Sequence, residues 1–248
     1  MNDRFIQKIK IDWTKIEPHS YLREIPALQF EDELELERNI TFFVGENGTG
    51  KSTLLEAIAV AYGFSAEGGS KNYAFSTYDS HSELHGAIRL SRGFQKPTWS
   101  YFLRAESFYN VASKTEEYRK DALLPEQIYY DRFGGKSFHH QSHGESFLAL
   151  AQGSFKAGGL YLLDEPEAAL SPQRQLTLLL EMYRLAKQGA QFIIASHSPI
   201  LLGIPGAQIL SFDEGVIHEC GYEETESYQV TEMFMNNREY LLKRLLEE

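Results

Sequence analysis

The sequence has 248 residues, of which 42% are hydrophobic and 13% aromatic, so it can bury the core of one large domain. Its formal net charge of -11 argues against an extended basic surface for nucleic acid, and its one cysteine, Cys220, excludes an internal disulfide. The charged start of the chain is unlike a secretion signal, and no apolar run approaches the roughly 18 residues that span a membrane. We therefore expect a cytoplasmic protein, with no direct membrane insertion, that forms a single domain over residues 1–248.

The first apolar patterns along the chain predict strands. Apolar residues alternate with polar ones over residues 9–13 and again over residues 28–36, which is typical of half-buried antiparallel strands. Three later runs, residues 40–44, 160–163 and 191–195, are almost entirely apolar. Such runs are expected for central strands that are buried on both faces.

Helical patterns accompany the three central strands. They cover residues 52–62, 172–187 and 198–202. This arrangement predicts an α/β fold with a mainly parallel central sheet. A further strand over residues 98–103 leads towards residues 107–152, whose helical character predicts a small helical lobe within the same domain.

The segment GENGTGKS, residues 45–52, matches the phosphate-binding pattern G-x-x-x-x-G-K-[ST] between a predicted buried strand and a predicted helix. Its glycines allow backbone N–H groups to curl around a phosphate, and the helix start adds positive potential. Lys51 is predicted to reach the β- and γ-phosphates of a nucleotide, and the Ser52 hydroxyl to bind Mg²⁺. The predicted nucleotide-binding residues of this loop are Gly45, Asn47, Gly48, Thr49, Gly50, Lys51, Ser52 and Thr53.

Two carboxylates follow the second central strand at its carboxyl end, where open α/β sheets bind their ligands. Asp164 is predicted to orient Mg²⁺ or a water bound to it, and Glu165 to polarise the water that attacks the γ-phosphate. In the alternative interpretation, these acids are only the anions at the start of a helix. That interpretation accounts for Glu167 but not for the apolar strand before the pair.

A histidine, His197, follows the third central strand and is therefore expected at the same edge of the sheet. A lone histidine at a strand end is ordinarily structural. Beside the two preceding motifs, however, His197 is predicted to hydrogen-bond the γ-phosphate and to act in catalysis.

The stretch QSHGESF, residues 141–147, allows several interpretations. A metal site could use His139, His140 and His143, or His81 and His85, but cysteines and a matching carboxylate pattern are missing from the sequence. A nucleophilic Ser142 activated by His143 is disfavoured because adjacent side chains on a helix do not face each other. The favoured interpretation is a phosphate cradle at a helix start.

Together, these motifs make the sequence resemble the ABC-type ATPases. GENGTGKST is similar to their phosphate loop, YLLDEPEAALSP to their acidic strand and the loop after it, and ASHSP to their histidine switch. QSHGE stands where the family has its signature L-S-G-G-Q. The resemblance implies that ATP and Mg²⁺ are bound and that Ser142, Gly144 and Glu145 contact ATP held by a second subunit in a head-to-tail homodimer.

The amino-acid sequences of these motifs are most similar to those of compact, stand-alone bacterial ATPases. These ATPases resemble SMC-type and OLD-type heads without a coiled coil. The sequence departs from transporter subunits in three places. Glu106, or the weaker candidate Gln95, is predicted to take the metal-facing role that a glutamine usually fills. Ser171 replaces the aspartate of the loop after the acidic strand, and Glu145 stands where the signature has a glutamine. Tyr21 is a candidate for stacking on adenine.

Three functions are compatible with these features. The first is an ATPase switch, in which ATP joins two subunits to regulate an effector protein or nucleic acid, in DNA repair or defence. The second is the nucleotide-binding subunit of an ABC transporter whose membrane chains are separate. In the third, ATP is only a structural ligand, and the retention of Glu165 argues against it.

Overall fold

The computed structural model describes residues 4–70, 82–104 and 143–246. Its strands are β1 Ile6–Ile11, β2 Leu34–Glu35, β3 Ile40–Val44, β4 Gly69–Ser70, β5 Ile88–Arg92, β6 Trp99–Arg104, β7 Gly159–Asp164, β8 Gln191–Ala195, β9 Gln208–Ser211 and β10 His218–Glu219. Its α-helices are α1 Lys51–Tyr62, α2 Leu84–Ala87, α3 His143–Ser154, α4 Pro172–Lys187, α5 Pro199–Leu202 and α6 Glu226–Leu246.

The larger of two sheets has the strand order β10-β9-β3-β8-β7-β6-β4 within the described ranges. The five strands from β9 to β6 in this order are parallel, whereas the edge strands β10 and β4 pair antiparallel with their neighbours. The carboxyl ends of β3, β7, β8 and β9 therefore lie at one edge of the sheet, and the predicted phosphate loop, acidic pair and His197 all follow strands at this edge.

The predicted apolar runs form central strands, and helices pack on both faces of the sheet. Every residue of β3 and β8 is buried. Phe43 and Ile193 belong to the hydrophobic cluster that contains α1, whereas Phe42 and Ile194 belong to the cluster that contains α4. Side chains alternate between the two faces of a strand, so helices on both sides require apolar residues at every position.

A smaller antiparallel sheet with the order β2-β1-β5 lies beside the larger one. The two sheets are joined by Gln191, the first residue of β8, which is buried. Its amide accepts a hydrogen bond from the backbone N–H of Ile6 at 3.0 Å and donates one to the carbonyl of Ile6 at 2.7 Å. Both polar groups of this buried amide are thereby satisfied, as a stable core requires.

The predicted fold class and the three central strands are confirmed, and α4 has the predicted bounds, residues 172–187. The predicted strand over residues 28–36 is correct only for β2, residues 34–35. Residues 26–28 instead form a 3-10 turn that begins at Pro26, with Leu28 buried. Proline has no N–H for a strand ladder, and its fixed φ suits the first position of a helical turn.

The predicted helical lobe is described only in part. Residues 107–142 lie outside the described residues, and residues 143–152 are helical within α3, which continues to Ser154. The strand predicted before the lobe is β6, whose last residue, Arg104, pairs in register with Asp164 of β7.

Candidate functional site

The phosphate-loop residues connect β3 to α1 and turn sharply at their glycines. Gly48 has φ +85° and Gly50 has φ +98°, in the left-handed region that glycine adopts without strain. A Cβ on Gly50 would also lie 2.8 Å from Cγ2 of Ile25, so a larger residue would not fit there. Gly50 is the residue immediately before α1, so this turn presents the loop to the first backbone N–H groups of the helix.

Lys51 is the first residue of α1 and is only 5% exposed. Its ammonium group donates hydrogen bonds to the carbonyls of Gly45 and Glu46, each at 2.6 Å. Burial lowers the pKa of Lys51, while the nearby carboxylates of Asp213, Glu165 and Asp164 act in the opposite direction and favour its charged form. The loop therefore encloses a cation among acidic side chains at the start of a helix.

The phosphate loop and the acidic strand meet through a side-chain hydrogen bond. The Ser52 hydroxyl donates to Oδ1 of Asp164 at 2.8 Å, although the two residues are 112 positions apart. A hydroxyl and a carboxylate oxygen are ligands that Mg²⁺ accepts, usually together with phosphate oxygens and water. The two side chains, which already contact each other, therefore fit the predicted metal site.

Glu165 and His197 lie on neighbouring segments at the same sheet edge. Oε1 of Glu165 is 4.0 Å from Nε2 of His197, and their side chains are 46% and 39% exposed. Glu165 has φ +49° and ψ +53°, an unusual conformation for a residue with a side chain, and its N–H donates to the carbonyl of Ala195 at 2.9 Å. Such backbone strain is often found at functional sites.

The surroundings of the His197 imidazole favour its neutral form. Burial and the positive charge of Lys51 lower its pKa, although Glu165 acts in the opposite direction. Its Nε2 is shielded from water and makes no hydrogen bond within the part of the chain that the structure describes. A neutral ring nitrogen at this position can form a hydrogen bond with a ligand.

Sequence analysis did not select Asp213, which also contacts the loop. Oδ1 of Asp213 accepts a hydrogen bond from the backbone N–H of Glu46 at 2.8 Å. Asp213 comes two residues after β9, the strand beside β3, so it lies at the edge that holds the phosphate loop. Its position after an apolar strand is the same signal that led to the selection of Asp164.

Two open cavities, each of about 660 Å³, border the phosphate loop. One is lined by Gly45, His197 and Asp213, among others, and the second by Asn47 and Thr49. Their volumes are within the range of about 300–1,000 Å³ that is usual for ligand pockets. There is therefore space for a ligand on the exposed side of the loop.

Several predicted site residues cannot be placed in this geometry. Ser142 and Glu106, together with His81, His139 and His140, lie outside the described residues. Gly144 and Glu145 lie in α3, which the structure describes from His143 to Ser154, and their role as a signature remains a prediction. Of the loop residues, Thr53 follows Ser52 in the first turn of α1.

Gln95 and Tyr21, the remaining candidates from the sequence, lie within the described residues. Gln95 precedes β6, which runs parallel to β7, and therefore lies at the opposite edge of the sheet from Asp164. The six residues of β6 span about 20 Å and separate Gln95 from Asp164, which makes Gln95 a poor candidate for a metal-facing role. Tyr21 is in a 3-10 turn and is 54% exposed, so its proposed contact with adenine remains a prediction.

Solved structures with a similar fold include two components of ABC transporters. The cbiO1 protein of Clostridium perfringens, part of the ABC transporter complex cbiONQ, has a TM-score of 0.51 at 17% identity, covering 99% of this chain and 100% of that one. MJ1267, an ATP-binding cassette of an ABC transporter in its ADP conformation, has a TM-score of 0.52 at 17% identity, covering 93% and 98%. The chain has the fold of an ABC-type ATPase. The predicted resemblance is thereby confirmed.

Sequence comparisons agree with the ABC-type ATPase fold. An AAA domain family matches residues 22–141, and a second AAA domain family, whose description names the AbiEii toxin and type IV TA systems, matches residues 145–203. The DNA replication and repair protein RecF of Histophilus somni, in two strains, is 35% identical over 116 residues, which cover 44% of this chain and 30% of RecF. The match thus spans less than a third of the length of these curated relatives. The two matches to AAA domain families support the prediction of an ATPase.

No helix among the described residues is both long enough and apolar enough to cross a membrane.

Proposed function

We propose that this ABC-type ATPase binds and hydrolyses ATP with Mg²⁺, and that bound ATP joins two copies of the chain head to tail. The joined and separated states would then regulate an effector protein or nucleic acid. The observation that carries this proposal is the contact between Ser52 and Asp164, which brings the phosphate loop to the acidic strand beside Glu165 and His197.

Each residue has a role that follows from its surroundings. The charged Lys51 and the loop N–H groups would hold the β- and γ-phosphates, and Ser52 with Asp164 would hold Mg²⁺. When bound, Mg²⁺ neutralises negative charge on the phosphates. Glu165, which is half-exposed at the mouth of the site, would accept a proton from the attacking water, and the neutral His197 would hydrogen-bond the γ-phosphate.

The homodimer is supported by the predicted signature QSHGE, whose residues 143–145 are helical within α3. The free N–H groups of a helix start bind phosphate well, and Gly144 permits close approach of a ligand. In the ABC-type arrangement, Ser142, Gly144 and Glu145 serve the nucleotide of the neighbouring copy. Two identical composite sites are then closed by two ATP molecules.

The comparisons suggest a biological setting for the switch. The relative RecF is named for DNA replication and repair, and one matching AAA family names a toxin of type IV TA systems. These names support a role in DNA repair or defence. The acidic net charge of -11 means that any contact with nucleic acid would require a local basic surface or a partner protein.

A second candidate function is the nucleotide-binding subunit of an ABC transporter with separate membrane chains. It is favoured by the likeness to cbiO1 and MJ1267, which extends over more than nine-tenths of this chain. Ser171 and Glu145 depart from transporter subunits and favour the first candidate. Fractionation of the native protein distinguishes the two, because a transporter subunit sediments with membranes and a free switch does not.

Replacement of Lys51 by Ala is expected to weaken ATP binding roughly ten- to a hundredfold. A charge-assisted hydrogen bond contributes about 1.5–3 kcal/mol, and each 1.4 kcal/mol changes affinity about tenfold. Calorimetric titration with Mg²⁺-ATP measures the effect. Lys187→Ala is a matched control, because this exposed lysine ends α4 at the far edge of the sheet. Equal affinity of the Lys51→Ala and unmodified proteins would refute the phosphate-loop assignment.

A mixture of two inactive variants tests whether the sites are shared. Ser142→Arg blocks the signature of one chain, and Lys51→Ala disables the phosphate loop of the other. Their heterodimer retains one composite site with an intact Lys51 and an intact Ser142, so mixing should restore part of the ATPase activity. Heterodimers confirmed by mass but without recovered activity, at every mixing ratio, would argue against sites shared between chains.

A further inference from the structure

Glu167 connects the segment that contains Glu165 to the segment that contains His197. We infer that Glu167 is a positioning residue, which holds His197 at a fixed distance from Glu165 for ATP hydrolysis. This inference rests on the proposed function for its catalytic consequence and on the observed hydrogen bonds for its geometry.

The connection consists of two hydrogen bonds to one carboxylate oxygen. Oε1 of Glu167 accepts from the hydroxyl of Ser196 at 2.9 Å and from the backbone N–H of His197 at 2.6 Å. The bond from the His197 N–H is short for an N–H···O hydrogen bond. The backbone of His197 is therefore tied directly to a side chain two residues after Glu165.

The backbone supplies a third connection between the same two segments. The N–H of Glu165 donates to the carbonyl of Ala195 at 2.9 Å. Together with the two bonds to Glu167, it joins residues 165–167 to residues 195–197 at both ends. Two short segments joined in this way cannot slide past each other without breaking hydrogen bonds. The backbone positions from which the Glu165 and His197 side chains project, with their ends 4.0 Å apart, are therefore tied together.

The segment that contains His197 is also held by hydrogen bonds that do not involve Glu167. The Ser196 hydroxyl accepts a hydrogen bond from the N–H of Ser198 at 3.1 Å, and the Ser198 hydroxyl donates to Oε1 of Gln175 on α4 at 2.6 Å. The amide of Gln175 donates in turn to the carbonyl of Leu170 at 3.1 Å. The network thus returns to the segment just after Glu167.

Burial of the Glu167 carboxyl group has an energetic cost. Its Oε2 is shielded from water and has no hydrogen-bond partner within the described ranges. Burial raises the pKa of Glu167, with the nearby charge of Glu165 acting in the same direction, while the bonds from His197 and Ser196 act against this rise. A polar atom left without a partner destabilises the folded protein, so stability alone does not explain the residue. Positioning of His197 does.

Three single variants and one double variant test the inference. Glu167→Ala removes both acceptor bonds and is expected to lower kcat for ATP roughly ten- to a hundredfold with little change in KM, because a misplacement of about 1 Å can slow catalysis by a hundredfold. Glu167→Gln keeps a carbonyl oxygen that can accept both bonds, and should restore most of the rate. In the His197→Ala background, Glu167→Ala should cause no further loss, since its effect acts through His197.

A readout independent of hydrolysis separates this inference from the proposed function. The imidazole signals of His197 in NMR spectra, identified among the eight histidines by their absence in His197→Ala, should change in Glu167→Ala and persist in Glu167→Gln. If Glu167→Ala does not fold, Glu167→Met replaces it, because methionine keeps the volume and removes both acceptors. Unchanged His197 signals in the Ala or Met variant, or losses that multiply in the double variant, would overturn the positioning role. An absence of hydrolysis by the unmodified protein, with the expected NMR result, would contradict only the proposed function.

Discussion

Replacement of Glu165 by Gln is expected to slow ATP hydrolysis by about 10²–10⁴ while ATP remains bound, which is the usual effect of removing a general base. Glutamine keeps the shape of the side chain but cannot accept a proton from water. The half-exposed carboxylate of Glu165, 4.0 Å from His197, is well placed for this role. Lys51, Ser52 and Asp164 are unaffected by the change, so binding of Mg²⁺-ATP should persist.

The measurement is phosphate release in a single turnover, with ATP affinity determined in parallel. Glu167→Gln is a closely matched control, because it makes the same substitution two residues away at a side chain that we expect to act only by accepting hydrogen bonds. Hydrolysis by Glu165→Gln at the rate of the unmodified protein would show that another group accepts the proton.

Replacement of Asp164 by Asn is expected to slow hydrolysis by about 10²–10³ and to raise the Mg²⁺ concentration needed for half-maximal activity. In the unmodified protein the Ser52 hydroxyl donates to Oδ1 of Asp164 at 2.8 Å. The asparagine oxygen can still accept this hydrogen bond, so the local geometry should survive. The negative charge that attracts the metal is lost. Metal stabilisation of the transition state contributes several kcal/mol, and each 1.36 kcal/mol changes the rate about tenfold.

A magnesium titration at saturating ATP measures this effect. Asp213→Asn serves as the control, because Asp213 also contributes negative charge near Lys51 but bonds to the backbone N–H of Glu46. The control should lack the shift in magnesium dependence. If the Asp164 and Asp213 variants shift the titration equally, the effect reflects general electrostatics and the metal site is wrongly assigned.

The features that could be predicted from the sequence are those with a strong local signal. Residues 40–44, 160–163 and 191–195 are apolar at nearly every position, and only strands covered on both faces satisfy that pattern. The loop from Gly45 to Ser52 combines a motif with the required strand and helix, so its position at the sheet edge was also predictable.

The features that were missed depend on contacts between distant residues. Asp213 and Glu46, which share one hydrogen bond, are separated by 167 positions in the sequence. Glu167 and His197, which share another, are separated by 30 positions. Neither pair has a sequence pattern that links its members. The helix α6 was missed because none of its residues is buried and its apolar positions do not form a clear core-facing stripe. The alternation over residues 28–36 was also misleading at its start, because Leu28 belongs to the turn that begins at Pro26.

The central claim, that ATP joins two chains and hydrolysis separates them, is tested most directly by light scattering of Glu165→Gln with and without Mg²⁺-ATP. The variant should hold ATP without cleaving it, and an interface closed by two nucleotides should bury at least about 1,000 Å², enough for a stable dimer. We therefore expect the mass of one chain without nucleotide and twice that mass with Mg²⁺-ATP. A mass that does not change when ATP is demonstrably bound would contradict the ATP-driven switch.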